Sequence, residues 1–108
     1  MKEADVVHAL AALAQVNRLR VFRHLVQAGR AGATPGQIGE SLSLPNATLS
    51  FHLRELSLAR LIQAQRDGRH LIYRVQFKQM NALLGYLTKN CCQGAEDCLN
   101  PSNASCAD

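Results

Sequence analysis

Apolar positions recur at helical spacing through the first sixty residues. Val6, Val7, Leu10, Leu13 and Ala14 predict an amphipathic helix over about residues 5–15. A second helix follows, with Asn17 as its cap, Leu19, Phe22, Leu25 and Val26 on its buried face, and Gly29 as its stop. Thr34-Pro35-Gly36-Gln37 is a complete helix-start signal. Thr34 can cap, Pro35 sits at the first helical position, where no N–H is needed, and Gln37 closes a capping box. This short helix buries Ile38 and Leu42 and gives way to a tight turn at Ser43-Leu44-Pro45. The next helix, residues 46–58, gathers Leu49, Leu53 and Leu56 on one face, with Asn46, Ser50 and Arg54 four residues apart on another.

The period then changes. Over residues 61–75, Ile62 and Ala64 alternate with Gln63 and Gln65, and Leu71, Tyr73 and Val75 alternate with Ile72 and Arg74. Between the two runs lies Arg66-Asp67-Gly68-Arg69-His70, and Asp-Gly flanked by alternating residues predicts a β-hairpin. A last helix over about residues 77–90 presents Phe77, Met80, Leu83, Leu84 and Leu87. The order is helix, helix, helix–turn–helix, basic hairpin, helix. It predicts a mainly α fold with one β-hairpin, a winged helix-turn-helix. Such a fold reads DNA with the outer face of its second motif helix, where short amides and hydroxyls reach base edges and arginine reaches guanine or phosphate. The hairpin tip can track phosphates or enter the minor groove.

Charge and composition sharpen this picture. The chain has 108 residues, 47% of them apolar, and a net charge of +4, which fits one folded domain. Ten Lys or Arg stand against Glu40, Glu55 and Asp67 between Asn17 and Lys78, whereas Cys91 to Asp108 holds three acids and no base. A basic body suits a phosphate backbone, though a solvated basic surface would look the same. Residues 1–90 are therefore expected to form the DNA-binding and dimerisation domain, and residues 91–108 a flexible Cys-containing tail with little to bury. No apolar run approaches a membrane span, and the acidic start lacks a signal-peptide pattern, so a cytoplasmic location is expected. No convergent acid, base and nucleophile set appears, so the chain is not expected to be an enzyme.

The chain resembles the ArsR/SmtB family of metal- and metalloid-responsive repressors over roughly residues 6–90. Arg18-Leu19-Arg20-Val21-Phe22-Arg23-His24-Leu25 is similar to the family's second helix, Leu49-Ser50-Phe51-His52-Leu53-Arg54-Glu55-Leu56 to its recognition helix, and Arg66 to Arg74 to its wing. Pro45 stands where the family often has a capping serine, which passes the expected cap to Asn46. The resemblance implies a homodimer, paired through its first and last helices, on double-stranded operator DNA. The apolar faces Val6/Leu10/Leu13 and Met80/Leu83/Leu84/Leu87 exceed what one small core requires, which agrees. The candidate DNA contacts are Asn46, Ala47, Thr48, Ser50, Phe51 and Arg54 on the helix, and Arg66, Arg69 and His70 on the hairpin; for each the alternative is solvated surface. His52 lies near the apolar stripe and is expected to pack rather than to read bases.

All four cysteines, Cys91, Cys92, Cys98 and Cys106, lie in the last 18 residues. Clustered thiols in a reducing compartment bind metal or sense redox state. Adjacent helical residues point about 100° apart, so Cys91 and Cys92 can face one ion only if one of them leaves helical geometry. Paired cysteines in the first helix of the motif are missing, and residues 77–90 hold no His, Asp or Glu, which removes the ligand sets of other family branches. The pattern resembles an arsenic-responsive subgroup with a Cys-Cys pair ending the last helix and a third Cys soon after. That resemblance implies arsenite, As(III), as inducer ligand, held by Cys91, Cys92 and Cys98. Cadmium, lead or zinc, methylarsenite, and a thiol-redox response remain open beside it.

Overall fold

The computed structural model describes residues 1–94. Five α-helices and one hairpin follow in the expected order: α1 (Glu3–Leu13), α2 (Val16–Ala28), a 3-10 turn (Gly29–Ala31), α3 (Pro35–Leu42), α4 (Asn46–Leu58), β1 (Ile62–Asp67), β2 (His70–Val75), α5 (Phe77–Thr88), and a second 3-10 turn (Cys91–Gly94). This is the winged helix-turn-helix arrangement. α2 lies at the centre and touches α1, α3, α4 and β2.

The core is built from Val6, Ala9 and Ala12 of α1, Val21, Phe22 and Leu25 of α2, Ile38 of α3, and Leu49, Leu53 and Leu56 of α4. Leu61, Ile62, Val75 and Leu83 close it. The inward face of α1 is small, so that helix can lie close to its neighbours. Leu10 projects outward with Val7, as a face in excess of one core would. Leu19 is likewise exposed, and Val21 takes its place in the core. On α5 only Leu83 is fully buried; Phe77 and Met80 pack against the core from its margin, while Leu84 and Leu87 are 52% and 54% exposed.

The caps differ from expectation at two helices. α2 begins two residues early because Gln15, not Asn17, caps it: the Gln15 side chain accepts from the Arg18 N–H at 2.8 Å. At α4 the cap position is Pro45, and Asn46 is already helical, so neither residue caps through its side chain. The α3 start is as the sequence predicts. Gln37 N–H donates to Thr34 Oγ1 at 3.2 Å, and Thr34 N–H donates to Gln37 Oε1 at 2.9 Å. Ser43, in left-handed geometry at φ 55°, then turns the chain into α4.

The hairpin is antiparallel, with Asp67 opposite His70 and Ile62 opposite Val75. Its two-residue loop is therefore Gly68-Arg69, and Gly68 supplies the positive φ of 63° that a tight hairpin turn demands. Beyond Ile62, every β1 residue is exposed, so the hairpin projects from the body as a wing. Among the described residues no helix is long and apolar enough to cross a membrane.

Candidate nucleic-acid interface

α4 presents two unlike faces. Leu49, Leu53 and Leu56 anchor it in the core, while Asn46, Ala47, Thr48, Ser50, Phe51 and Arg54 are all exposed. Asn46, Ser50 and Arg54 follow one another at intervals of four and so share one side of the helix. A helix anchored by a leucine stripe and carrying amide, hydroxyl and guanidinium groups outward can enter a major groove without losing core contacts.

His52 is the polar member of the buried face, only 5% exposed. Its Nδ1 makes no hydrogen bond to any described residue. Burial, and secondarily the nearby Arg18 charge, push its pKa below the usual imidazole value. The expectation that His52 packs rather than reads bases agrees with this placement.

Arg66, Arg69 and His70 are all exposed at the wing tip, but the register separates them. Residues opposite one another in a hairpin share a face, and neighbours along a strand alternate. Arg66, opposite Leu71, therefore lies on one face, and His70, opposite Asp67, on the other. His70 and Ile72 turn toward the start of α3, where they line a cavity of about 400 Å³ with Ala31, Gly32, Ala33, Thr34 and Gln37. Arg74 braces this face, donating from Nε to the Arg30 carbonyl at 2.7 Å and from Nη1 to Gln65 Oε1 at 2.8 Å. The sequence alone did not separate Arg66 from His70, because the split depends on which two residues form the loop.

The thiol pair lies just past α5 rather than on it. The helix ends at Thr88, Lys89 is extended, and Asn90 is left-handed at φ 59°. Cys92 leaves helical geometry at φ 56°, ψ 31°, and the Cys91 and Cys92 sulfurs lie 2.9 Å apart. The departure from helical geometry that sequence reasoning required for convergence is thus present. Cys91 is a free thiol, and Cys92 is disulfide-bonded. Cys98 and Cys106 lie outside the described residues, as does most of the expected tail. Among the described residues, no three metal-binding side chains converge. Arg18 contacts α1 and α4 through its side chain, which nothing in residue spacing announces.

The fold defines a winged helix-turn-helix protein. Residues 13–63 match the model of a helix-turn-helix domain family. The chain is similar to an ArsR-like transcriptional regulator from Rhodococcus sp. RHA1, at 24% identity and a TM-score of 0.70 over 78% of this chain and 76% of that one. It is similar to the homodimeric winged helix-turn-helix DNA-binding domain of a possible ArsR-family regulator from Mycobacterium bovis, at 24% identity and a TM-score of 0.64 over 81% of each. It is also similar to a possible transcriptional regulator for arsenical resistance, at 26% identity and a TM-score of 0.58 over 74% of this chain and 83% of that one. No curated protein matches it in sequence.

Proposed function

We propose that this chain is an ArsR/SmtB-family transcriptional repressor that responds to arsenite. In this reading two copies pair through α1 and α5, whose Val7, Leu10, Leu84 and Leu87 stand exposed on the single chain. The dimer binds a palindromic operator, with Asn46, Ser50 and Arg54 at base edges or phosphates and the wing arginines Arg66 and Arg69 on the backbone. As(III) held by the thiolates of Cys91, Cys92 and Cys98 then shifts the pairing geometry and misplaces the two recognition helices. Release requires this differential effect between states, since a ligand indifferent to them shifts nothing.

The observation that carries the reading is the convergence of Cys91 and Cys92 immediately past the exposed face of α5. Soft sulfur donors suit a soft centre, and a ligand gathered there sits beside the surface through which the copies would pair. Each As–S bond replaces an As–OH bond of arsenite, the thiol proton leaving with the hydroxyl as water, so the site needs no low-pKa cysteine beforehand. It does need these cysteines reduced. The close approach of the Cys91 and Cys92 sulfurs, 2.9 Å apart, also suits a second reading, in which oxidation of these thiols is the signal.

The test is a titration of the fully reduced protein, bound to promoter DNA, with arsenite, methylarsenite, cadmium, lead, zinc and peroxide. Release by arsenite at the lowest concentration supports the proposal. Release by peroxide alone assigns the redox reading, and release by cadmium, lead or zinc alone assigns a metal sensor.

A further inference from the structure

One side chain joins three helices beside the recognition face. The Gln15 cap fixes the Arg18 backbone in the first turn of α2. Arg18 Nε donates to the Ala12 carbonyl at 2.7 Å. Ala12 belongs to the last turn of α1, where carbonyls lack helical partners and a cation also complements the helix dipole. The Arg18 guanidinium carbon lies 5.9 Å from the centroid of the Phe51 ring on α4, within reach of a cation–π interaction. Phe51 meets the His52 ring edge-on, with centroids 5.8 Å apart and planes at 62°. A continuous line of contact therefore runs from the end of α1, through Arg18, to the middle of α4.

The line runs beside the direct packing of α1 on α4 in the core. Phe51 is more than half exposed, and among the described residues its ring interactions are with Arg18 and His52. The planar fork of arginine lets one edge bond the α1 carbonyl while the cation addresses the ring, which the single ammonium of a lysine cannot do in the same geometry.

We infer that Arg18 is a positioning residue for the recognition helix: it ties the last turn of α1 to Phe51, so that the seating of α4 follows the seating of α1. Its consequence for DNA rests on the function proposed above; the mechanical link does not. Because α1 carries Val7 and Leu10 of the proposed pairing face, a change at that face reaches α4 through Arg18.

The experiment compares the full reduced chain with Arg18→Lys and Arg18→Met. The first measurement is amide hydrogen exchange without DNA. Arg18→Met should speed exchange of the α4 amides about tenfold more than those of α3, with Arg18→Lys in between. Unchanged α4 exchange, or a uniform rise in all helices, overturns the inference. The second is the titration of His52 by nuclear magnetic resonance. Arg18→Met should raise its midpoint by removing a neighbouring cation, and Arg18→Lys should not; an unchanged midpoint in Arg18→Met overturns the contact. The third compares a duplex that the parent enriches from random-sequence DNA with a scrambled one. Arg18→Met should bind the enriched duplex about tenfold more weakly, leave the scrambled one within about twofold, and keep the salt slope. Equal loss on both, with a flatter slope, makes Arg18 a phosphate contact and overturns the inference. If the parent enriches no duplex while the exchange result holds, the DNA-reading proposal fails and the positioning role stands.

Discussion

Ala33 and Tyr73 exchange both of their backbone hydrogen bonds, at 3.0 and 2.8 Å, and so fasten the segment ahead of α3 to β2, the inner strand of the wing. Gly32 makes this approach possible. Its φ is 65°, and a Cβ there would stand 2.5 Å from the Tyr73 carbonyl oxygen, 2.7 Å from Arg74 Cγ and 2.8 Å from Ile72 Cγ2.

Gly32→Ala is therefore expected to destabilise the fold by at least ~2 kcal/mol, combining left-handed strain with a clash against backbone. Gly68→Ala is the comparison. It shares the positive φ but would meet nothing within 4 Å, so it should cost about 1 kcal/mol. Urea unfolding of the two variants checks the order; equal losses would mean that the wing is not held against Gly32.

Burial of His52 makes stability depend on pH. Its folded-state pKa lies below the unfolded value of about 6.5. Between the two values the unfolded chain binds more protons than the folded one, so stability rises with pH. The contribution is complete above about pH 6.5 and is lost as pH falls from there through the folded value. Unfolding free energies of the parent and His52→Leu, measured from pH 7.5 to 5, should diverge: the parent loses stability that the variant keeps. Parallel curves would place the proton elsewhere.

The wing and the helix are expected to fail differently. Arg66→Ala with Arg69→Ala should weaken binding to every duplex and flatten the salt slope by about 0.9 per lost phosphate contact. Ser50→Ala or Asn46→Ala should instead reduce preference for the operator over random DNA. Binding isotherms at several salt concentrations distinguish these outcomes, and a reversed pattern would exchange the two assignments.

Pairing through α5 predicts that Leu84→Asp with Leu87→Asp raises the dimer dissociation constant at least ~100-fold, since each leucine forfeits about 2 kcal/mol of burial. Sedimentation would detect it, because both residues are exposed on the single chain and the fold should survive. The parent dimer should hold its recognition helices roughly 34 Å apart, one DNA turn. A parent that stays monomeric at micromolar concentration yet binds DNA would contradict this.

Most of the fold was legible because local signals agreed with the global arrangement. The Thr34–Gln37 box and the leucine stripe of α4 are each complete within a few residues and formed where expected; the hairpin formed as well, with its loop at Gly68-Arg69, one residue later than the Asp67-Gly68 signal suggests. The errors have physical causes. Leu19 shares a helical period with Phe22 and Val26, and periodicity does not distinguish the core side of a stripe from its exposed margin. Gln15 displaced Asn17 as cap because either side chain can accept a hydrogen bond from an amide of the first turn. The Arg18 contacts depend on how three helices cross, which no short pattern encodes. The thiol geometry was legible only as a requirement that one cysteine leave the helix, and Cys92 does so.

The central claim is that arsenite acts through three particular thiols, and the most direct measurement is operator release by single-cysteine variants under reducing conditions. Arsenite forms three bonds to sulfur, so Cys91→Ser, Cys92→Ser and Cys98→Ser should each blunt release while binding DNA nearly as the parent does, and Cys106→Ser should respond as the parent. A monomethylated arsenical, with one valence already filled, should still release Cys98→Ser through Cys91 and Cys92. Full release of Cys98→Ser by arsenite would contradict the three-thiolate account, and loss of response in Cys106→Ser alone would name a different third ligand.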